Sequence, residues 1–235
     1  MVREQIIRLS FFFGVLTVVA VWEAITPRRM LTDSKGRRWL ANLSLVVIDT
    51  AVVRFLLPVL SVGLALIAQE HGWGVLNNIM LPIWIKIVLA VAALDFVIYL
   101  QHVLFHFLPI LWRLHRMHHT DLDIDVTTGN RFHPIEIVIS AGIKLGAVAL
   151  IGPPAAAVVA FEVALNATSQ FNHGNIRIPE TLDRWLRLVV VTPDMHRVHH
   201  SIIPRETNSN FGFNLPWWDR PCGTYRSQPE LGTPA

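Results

Sequence analysis

Residues Ile135 to Phe171 read IEIVISAGIKLGAVALI-GPP-AAAVVAFEVALNATSQF, two apolar runs on either side of Gly152-Pro153-Pro154. Each run is short for a bilayer crossing, which takes about 20 mostly apolar helical residues. Glycine followed by paired prolines breaks the backbone ladder, so the stretch reads as a tight membrane hairpin rather than one crossing. Lys144 and Glu162 each stand nine residues from Pro153. A symmetric hairpin sets them at one depth near mid-membrane, where an unpaired charge is costly, so they are expected to pair or share a polar cavity. Gly142 and Gly146 in the first arm would permit close helix approach.

Upstream, three further apolar stretches are long enough to span: Ile6–Ile25, Leu40–Ala68 with a kink expected at Pro58, and Leu81–Phe105. The first lacks a small-residue cleavage site before Pro27 and reads as a retained anchor. The whole chain of 235 residues is 52% hydrophobic and only 16% charged, with a mean hydropathy of +0.45. Soluble chains carry about 25% charged residues, so much of this surface needs a non-aqueous solvent. The polar residues gather from His173 to Ala235, expected to form a water-facing cap with an amphipathic helix near Thr181–Val190. The fold expected is all-α, an integral membrane bundle of four to five transmembrane helices with a cytoplasmic histidine-rich cap.

Charge sets the orientation. Pro27–Trp39 carries Arg28, Arg29, Lys35, Arg37 and Arg38, Gln69–Asn78 carries no lysine or arginine, and the segment after the third pass carries Arg113, Arg116 and Arg131. The positive-inside rule places the first and last of these, and the tail, in the cytoplasm. A net charge of +3 is small for a nucleic-acid binder. The single cysteine, Cys222, excludes an internal disulfide and a cysteine-based metal cage.

Ten of the eleven histidines lie between His102 and His200. His102 and His106 share a helix face at the end of the third pass. His115-x-x-His118-His119 and His196-x-x-His199-His200 repeat one pattern, in which a helix points the first imidazole the same way as the third-next and fourth-next. His133 and His173 stand singly, and His71 lies apart in the opposite loop as a structural residue. The hairpin returns the chain to the side where His102 and His106 end, so all ten can meet at one boundary. Imidazole-rich ligation suits iron, zinc, copper or nickel, and ten imidazoles exceed what one ion can hold. A transporter would instead line a path through mid-membrane, and a haem carrier would bury single histidines in facing helices.

HxxxH, HxxHH and HxxHH in this order, with a membrane hairpin between the second and third, resemble the fatty acid hydroxylase/sterol desaturase superfamily. Arg131-Phe132-His133-Pro134-Ile135-Glu136 resembles its RxHPxE element, and Thr192-Pro193-Asp194-Met195-His196-Arg197-Val198-His199-His200 its last histidine box. Asn208-Ser209-Asn210-Phe211-Gly212, Trp218-Asp219-Arg220 and Gly223-Thr224-Tyr225 resemble the stretch that closes the domain. The resemblance implies two iron ions (zinc being compatible with the ligand type), held by His102, His106, His115, His118, His119, His133, His173, His196, His199 and His200. It also implies O2 as co-substrate and a lipid or sterol-like substrate that is hydroxylated or desaturated. Without a fused haem domain or a GxGxxG loop, electrons would come from a separate donor of the cytochrome b5, ferredoxin or reductase type. The chain then divides into anchor helices at 1–80, the catalytic unit at 81–226 and a tail at 227–235.

Metal-bound imidazoles usually donate their second N–H to a carboxylate or carbonyl. Asp95, Glu136, Asn172 and Asp194 are placed for that role, Asp194 equally for a helix cap. Thr120–Asn130 carries Asp121, Asp123 and Asp125 but lacks the glycine and glutamate of a calcium loop, and reads as a solvated loop, with capping of the site as a further role. Trp217, Trp218, Phe211 and Phe213 are expected at the headgroup level, the alternative being that they line the substrate entrance.

Overall fold

The computed structural model describes residues 2–121 and 123–230, and among these it contains α-helices and no β-strand. In chain order the helices are α1 (Val2–Ile25), α2 (Lys35–Leu56), α3 (Ser61–Glu70), α4 (Ile83–Phe107), α5 (Pro109–His119), α6 (Pro134–Ile151), α7 (Ala155–Asn172), α8 (Glu180–Leu186), α9 (Pro193–His199) and α10 (Pro204–Thr207).

Four segments are long and apolar enough to cross a membrane: Glu4–Ile25, Lys35–Glu70, Ile83–Phe107 and Pro134–Ile151. Only 11% to 28% of the most apolar window of each is buried inside the protein. Their side chains, such as the 88%-exposed Phe55, therefore face outward, which only a lipid surrounding satisfies. The protein is an integral membrane helical bundle. The expected kink at Pro58 is a full break, since Leu57 is extended and α3 starts four residues after it. A proline there offers no N–H to continue the ladder.

The hairpin forms as the sequence requires. Gly152 caps α6 at φ 65°, a left-handed conformation that favours glycine, and α7 starts after Pro154. The turn is gripped by the α3–α4 loop, where a Cβ on Gly74 would lie 2.2 Å from the Gly152 nitrogen. Between the arms and their neighbours lies a core of Ala65, Leu94, Ile98, Ala147, Val148, Val158 and Phe161. Lys144 Nζ pairs with Glu162 Oε1 at 2.5 Å, and Arg8 from α1 adds a second cation on the same carboxylate. A Cβ added at Gly142 or Gly146 would meet nothing within 4 Å, so these glycines make no close helix approach among the described residues.

At the end of the bundle where α4 and α7 finish and α6 starts, the loops fold into a polar cap. Here the expected solvated loop is corrected. Asp123 and Asp125 are buried, because the α1–α2 segment supplies their partners. Arg38 reaches Asp121 at 2.9 Å and Asp125 at 2.8 Å, and the backbone N–H groups of Thr32 and Asp33 donate to Asp123 at 2.7 and 2.6 Å. Glu23, at the end of α1, accepts from the N–H groups of Val126 and Asn175. The amphipathic helix expected at 181–190 is the shorter α8, whose end loosens into turns beyond Leu186. Of the expected tail at 227–235, residues 231–235 lie outside the described residues.

Candidate metal centre

Three helices that begin beside the cap carry proline at their first position, Pro109 of α5, Pro134 of α6 and Pro193 of α9. A proline there has no orphan N–H to satisfy and is preset for helical φ. This fixes the start, and hence the facing, of the two HxxHH boxes on α5 and α9. The imidazoles form two groups, His102, His106, His115, His119 and His199 in one, and His118, His173, His196 and His200 in the other. Within each group one nitrogen per residue lies within 4.8 Å of all the others.

Each HxxHH box is divided between the groups. The first and fifth residues of a box stay together, His115 with His119 and His196 with His200, while the fourth, His118 or His199, goes to the opposite group. Successive residues are about 100° apart around a helix of 3.6 residues per turn, so the adjacent imidazoles of a box diverge. The sequence reading, which aimed all three the same way, is corrected on this point. The groups share a wall, with the His119 and His200 rings stacked 4.4 Å apart.

Six of the nine clustered rings have their outward nitrogen tied to the protein, while Nδ1 of His196 and His200 is buried without a hydrogen-bond partner. Backbone carbonyls accept from Nδ1 of four rings: Phe211 from His102 at 2.8 Å, Arg131 from His118 at 3.2 Å, Ser169 from His173 at 2.6 Å and Ser209 from His199 at 2.7 Å. Glu136 Oε1 lies 2.6 Å from His115 Nδ1, and Asn208 Oδ1 lies 3.3 Å from His106 Nδ1. Burial, followed by the neighbouring imidazoles, holds His115, His118, His119, His196, His199 and His200 far below the ordinary imidazolium range. Burial above all brings His173 down to about 4.

A neutral imidazole has one donor and one acceptor nitrogen. With the protons of His118 and His173 on Nδ1, their Nε2 lone pairs face each other at 3.0 Å, and His196 and His200 aim Nε2 at the same atom from 3.0 and 3.2 Å. His102 Nε2 faces His115 Nε2 at 3.2 Å, and Nε2 of His106, His119 and His199 is buried without a hydrogen-bond partner. Converging lone pairs repel unless a cation lies between them. Two nitrogens each about 2.1 Å from one ion, at right angles, are about 3.0 Å apart, so the donor set fits two metal ions.

Residues 87–224 match the sequence model of the fatty acid hydroxylase family. The chain belongs to the fatty acid hydroxylase family. The ornithine lipid hydroxylase of Rhizobium tropici is 30% identical over 148 residues, which are 63% of this chain and 44% of that protein. The alkylglycerol monooxygenases of Danio rerio and Homo sapiens are 31% and 30% identical over 60% of this chain and 31% of their own length. The chain thus spans less than half the length of these relatives. No solved structure matches it.

Not every residue singled out in this family member takes the role its position suggests. His133 stands outside both groups and caps α6, its Nδ1 accepting from the Ile135 N–H. Its Arg131-Phe132-His133-Pro134-Ile135-Glu136 element instead positions the middle box, through the Arg131 carbonyl, the Phe132 ring stacked 4.6 Å from His118, and Glu136. Asp95 turns away from the imidazoles and accepts from Trp218 Nε1 at 2.7 Å. Asn172 donates to the Phe213 carbonyl, and Asp194 pairs with Arg28 at 3.1 Å and Arg197 at 3.5 Å. In each case the side chain is engaged by a partner other than an imidazole.

Sequence reasoning singled out 208–212 as the stretch that closes the domain but missed its role, which is to offer acceptors to His106, His199 and His102. Asp219 shapes that loop by accepting from the N–H groups of Phe211 and Gly212 and from Thr224 Oγ1 at 2.7–2.9 Å. Most of these contacts use backbone atoms, which leave no residue pattern to read. Phe211 is buried against His106 at 5.1 Å rather than anchoring at headgroups.

A cavity of about 480 Å3 opens on the five-histidine group. His102, His115, Phe105 and Phe213 line its inner end, and it extends between α2, α6 and α7 to Lys144, Glu162 and Arg8.

Proposed function

We propose that the protein is an O2-dependent membrane hydroxylase that inserts oxygen into a C–H bond of a lipid. The observation that carries the reading is the convergence of Nε2 atoms, 3.0–3.2 Å apart, beside a cavity that reaches His102 and His115. Iron bound there would supply the electron transfer to O2 that makes an unactivated C–H bond reactive. Hydroxylation consumes O2, two electrons and two protons and gives an alcohol and water, so a separate electron donor is part of the proposal. The relatives' names, hydroxylase and monooxygenase, favour oxygen insertion over desaturation.

The chain's own residues bind, orient and exclude water. Nine imidazoles would hold the ions, and carbonyls 131, 169, 209 and 211 fix the orientation and tautomer of four of the rings. Phe105, Phe132 and Phe213 put apolar surface into the inner cavity beside the imidazoles, which limits access of water to the reacting centre. The basic segments flanking the cap favour a cytoplasmic position for this end, within reach of soluble or peripheral electron donors. The test is to purify the full chain, measure iron, and incubate it with ether, acyl and sterol lipids, reductant and labelled O2. Label found in one lipid, and only with bound iron, supports the assignment. Undiminished turnover after the transition metal is stripped would sink it.

A further inference from the structure

Helix α2 buries three side chains, Arg38, Asn42 and Asp49. Arg38 is answered by Asp121 and Asp125, and Asn42 by Thr127 and Arg131. Asp49 is not answered. It is 7% exposed, its Oδ1 is buried without a hydrogen-bond partner, and among the described residues it forms no ion pair. An acid inside a membrane span is costly unless something donates to it.

Asp49 lines the cavity on its imidazole side. It lies close enough to Glu136 for the two carboxyl groups to interact, and Glu136 Oε1 is already engaged with His115. Of the other cavity-lining atoms buried without a partner, Gln101 Oε1 and Glu136 Oε2 are acceptors and Asn130 Nδ2 is a donor. A second donor, Arg8 Nε, belongs to the far end. There Glu4 and Glu162 match Arg8 and Lys144, so those four side chains are neutral together and hold no charge in reserve for Asp49. Arg54 also lines the cavity, but it is exposed, stands five residues along α2, and forms no ion pair among the described residues. The imidazole side of the cavity therefore offers more acceptors than donors. Val53, one turn beyond Asp49, continues with Leu60, Ala141 and Leu165 as an apolar stretch of the same cavity.

We propose that Asp49 orients the substrate by accepting a hydrogen bond from an N–H or O–H of its polar head, while the hydrocarbon chain runs along Val53, Leu60 and Leu165. The inference deepens the hydroxylase reading and rests on it for the ligand's being the substrate. It sets the polar end of the lipid, rather than the tip of its chain, on the side of His102 and His115.

The test measures binding without turnover, so its failure is separate from failure of the hydroxylase reading. Iron-loaded full-length protein in phosphatidylcholine nanodiscs, held anaerobic without reductant, is titrated by calorimetry with hexadecylamine, hexadecanol and hexadecyl methyl ether, and the signal of empty nanodiscs is subtracted. At least one of the first two is expected to bind tenfold or more tightly than the ether, which cannot donate, and the tighter names the group as ammonium or hydroxyl. Asp49→Leu should abolish the preference without changing affinity for the ether and without lowering the unfolding temperature, since it removes an acid that nothing in the protein answers. Asp49→Asn, which keeps an acceptor and loses the charge, should retain a preference for the alcohol and lose one for the amine. Should Asp49→Leu fail to fold, Asp49→Ala replaces it. Equal affinity of the unmodified protein for all three ligands, or an undiminished preference in a folded leucine or alanine variant, overturns the proposal.

Discussion

Glu136 Oε1 lies 2.6 Å from Nδ1 of His115, whose Nε2 faces His102 across 3.2 Å. The carboxylate orients the ring and raises its basicity toward a cation. Removing such a partner typically costs 10- to 100-fold in metal affinity. Glu136→Gln, which keeps an oxygen but loses the charge, should release metal to a chelator at about tenfold lower concentration. Retention equal to that of the unmodified protein would show that the carboxylate has no such role.

The division of each histidine box predicts selective losses. His118→Ala should deplete the four-histidine group and His199→Ala the five-histidine group, each lowering metal content and abolishing turnover. His133→Ala should leave metal content intact and cost about 1 kcal/mol of stability, the usual value of a helix cap. Metal analysis of the three purified variants, with thermal unfolding, separates these outcomes.

Acid should dismantle the centre. His173 titrates near 4 in the folded chain, against about 6.5 when exposed, and six other rings lie far below their ordinary value. Below about pH 6.5 the unfolded chain takes up protons that the folded chain refuses, so stability falls as pH drops from about 6.5 toward 4. Above that window both states are neutral at these rings and the contribution is flat. Unfolding midpoints and retained metal measured from about pH 7.5 to 4.5 should fall together, and a level profile would contradict the assignment.

Asp219 is fully buried and holds two backbone N–H groups and one hydroxyl. Asp219→Ala orphans those donors, at roughly 1–3 kcal/mol for each buried group left unpaired. The expected result is a lower unfolding temperature together with weaker metal retention, since the released loop carries the acceptors for His102 and His199. Ordinary stability with reduced metal, or the reverse, would uncouple the two roles.

Gly129 sits too close to α7 for any side chain. A Cβ there would lie 2.3 Å from the Ser169 carbonyl and 3.1 Å from His173 Nδ1. Gly129→Ala should therefore displace the acceptor of His173 and lower metal content, while a variant with full metal would show that α7 yields without moving that ring.

What the sequence made legible was whatever repeats or interrupts a pattern. Apolar runs gave the spans, Gly152-Pro153-Pro154 gave the turn, and equal distances from Pro153 gave the Lys144–Glu162 pair. Histidine spacing assembled nine of the ten imidazoles in two neighbouring groups. Partners far apart in the chain were not legible. Asp95 meets Trp218 across 123 positions, and Arg38 meets Asp121 and Asp125 across more than 80. Such pairings depend on how the cap folds over the bundle, and no local periodicity encodes them.

Because α5 and α9 each contribute to both histidine groups, the two cavities for cations are joined by short rigid rods. Seating one ion would draw both rods into place and so prepare the other, making uptake of the pair cooperative. A half-filled protein would then be scarce at any metal concentration, and an enzyme caught with one ion and O2 but no complete centre would be rarer still.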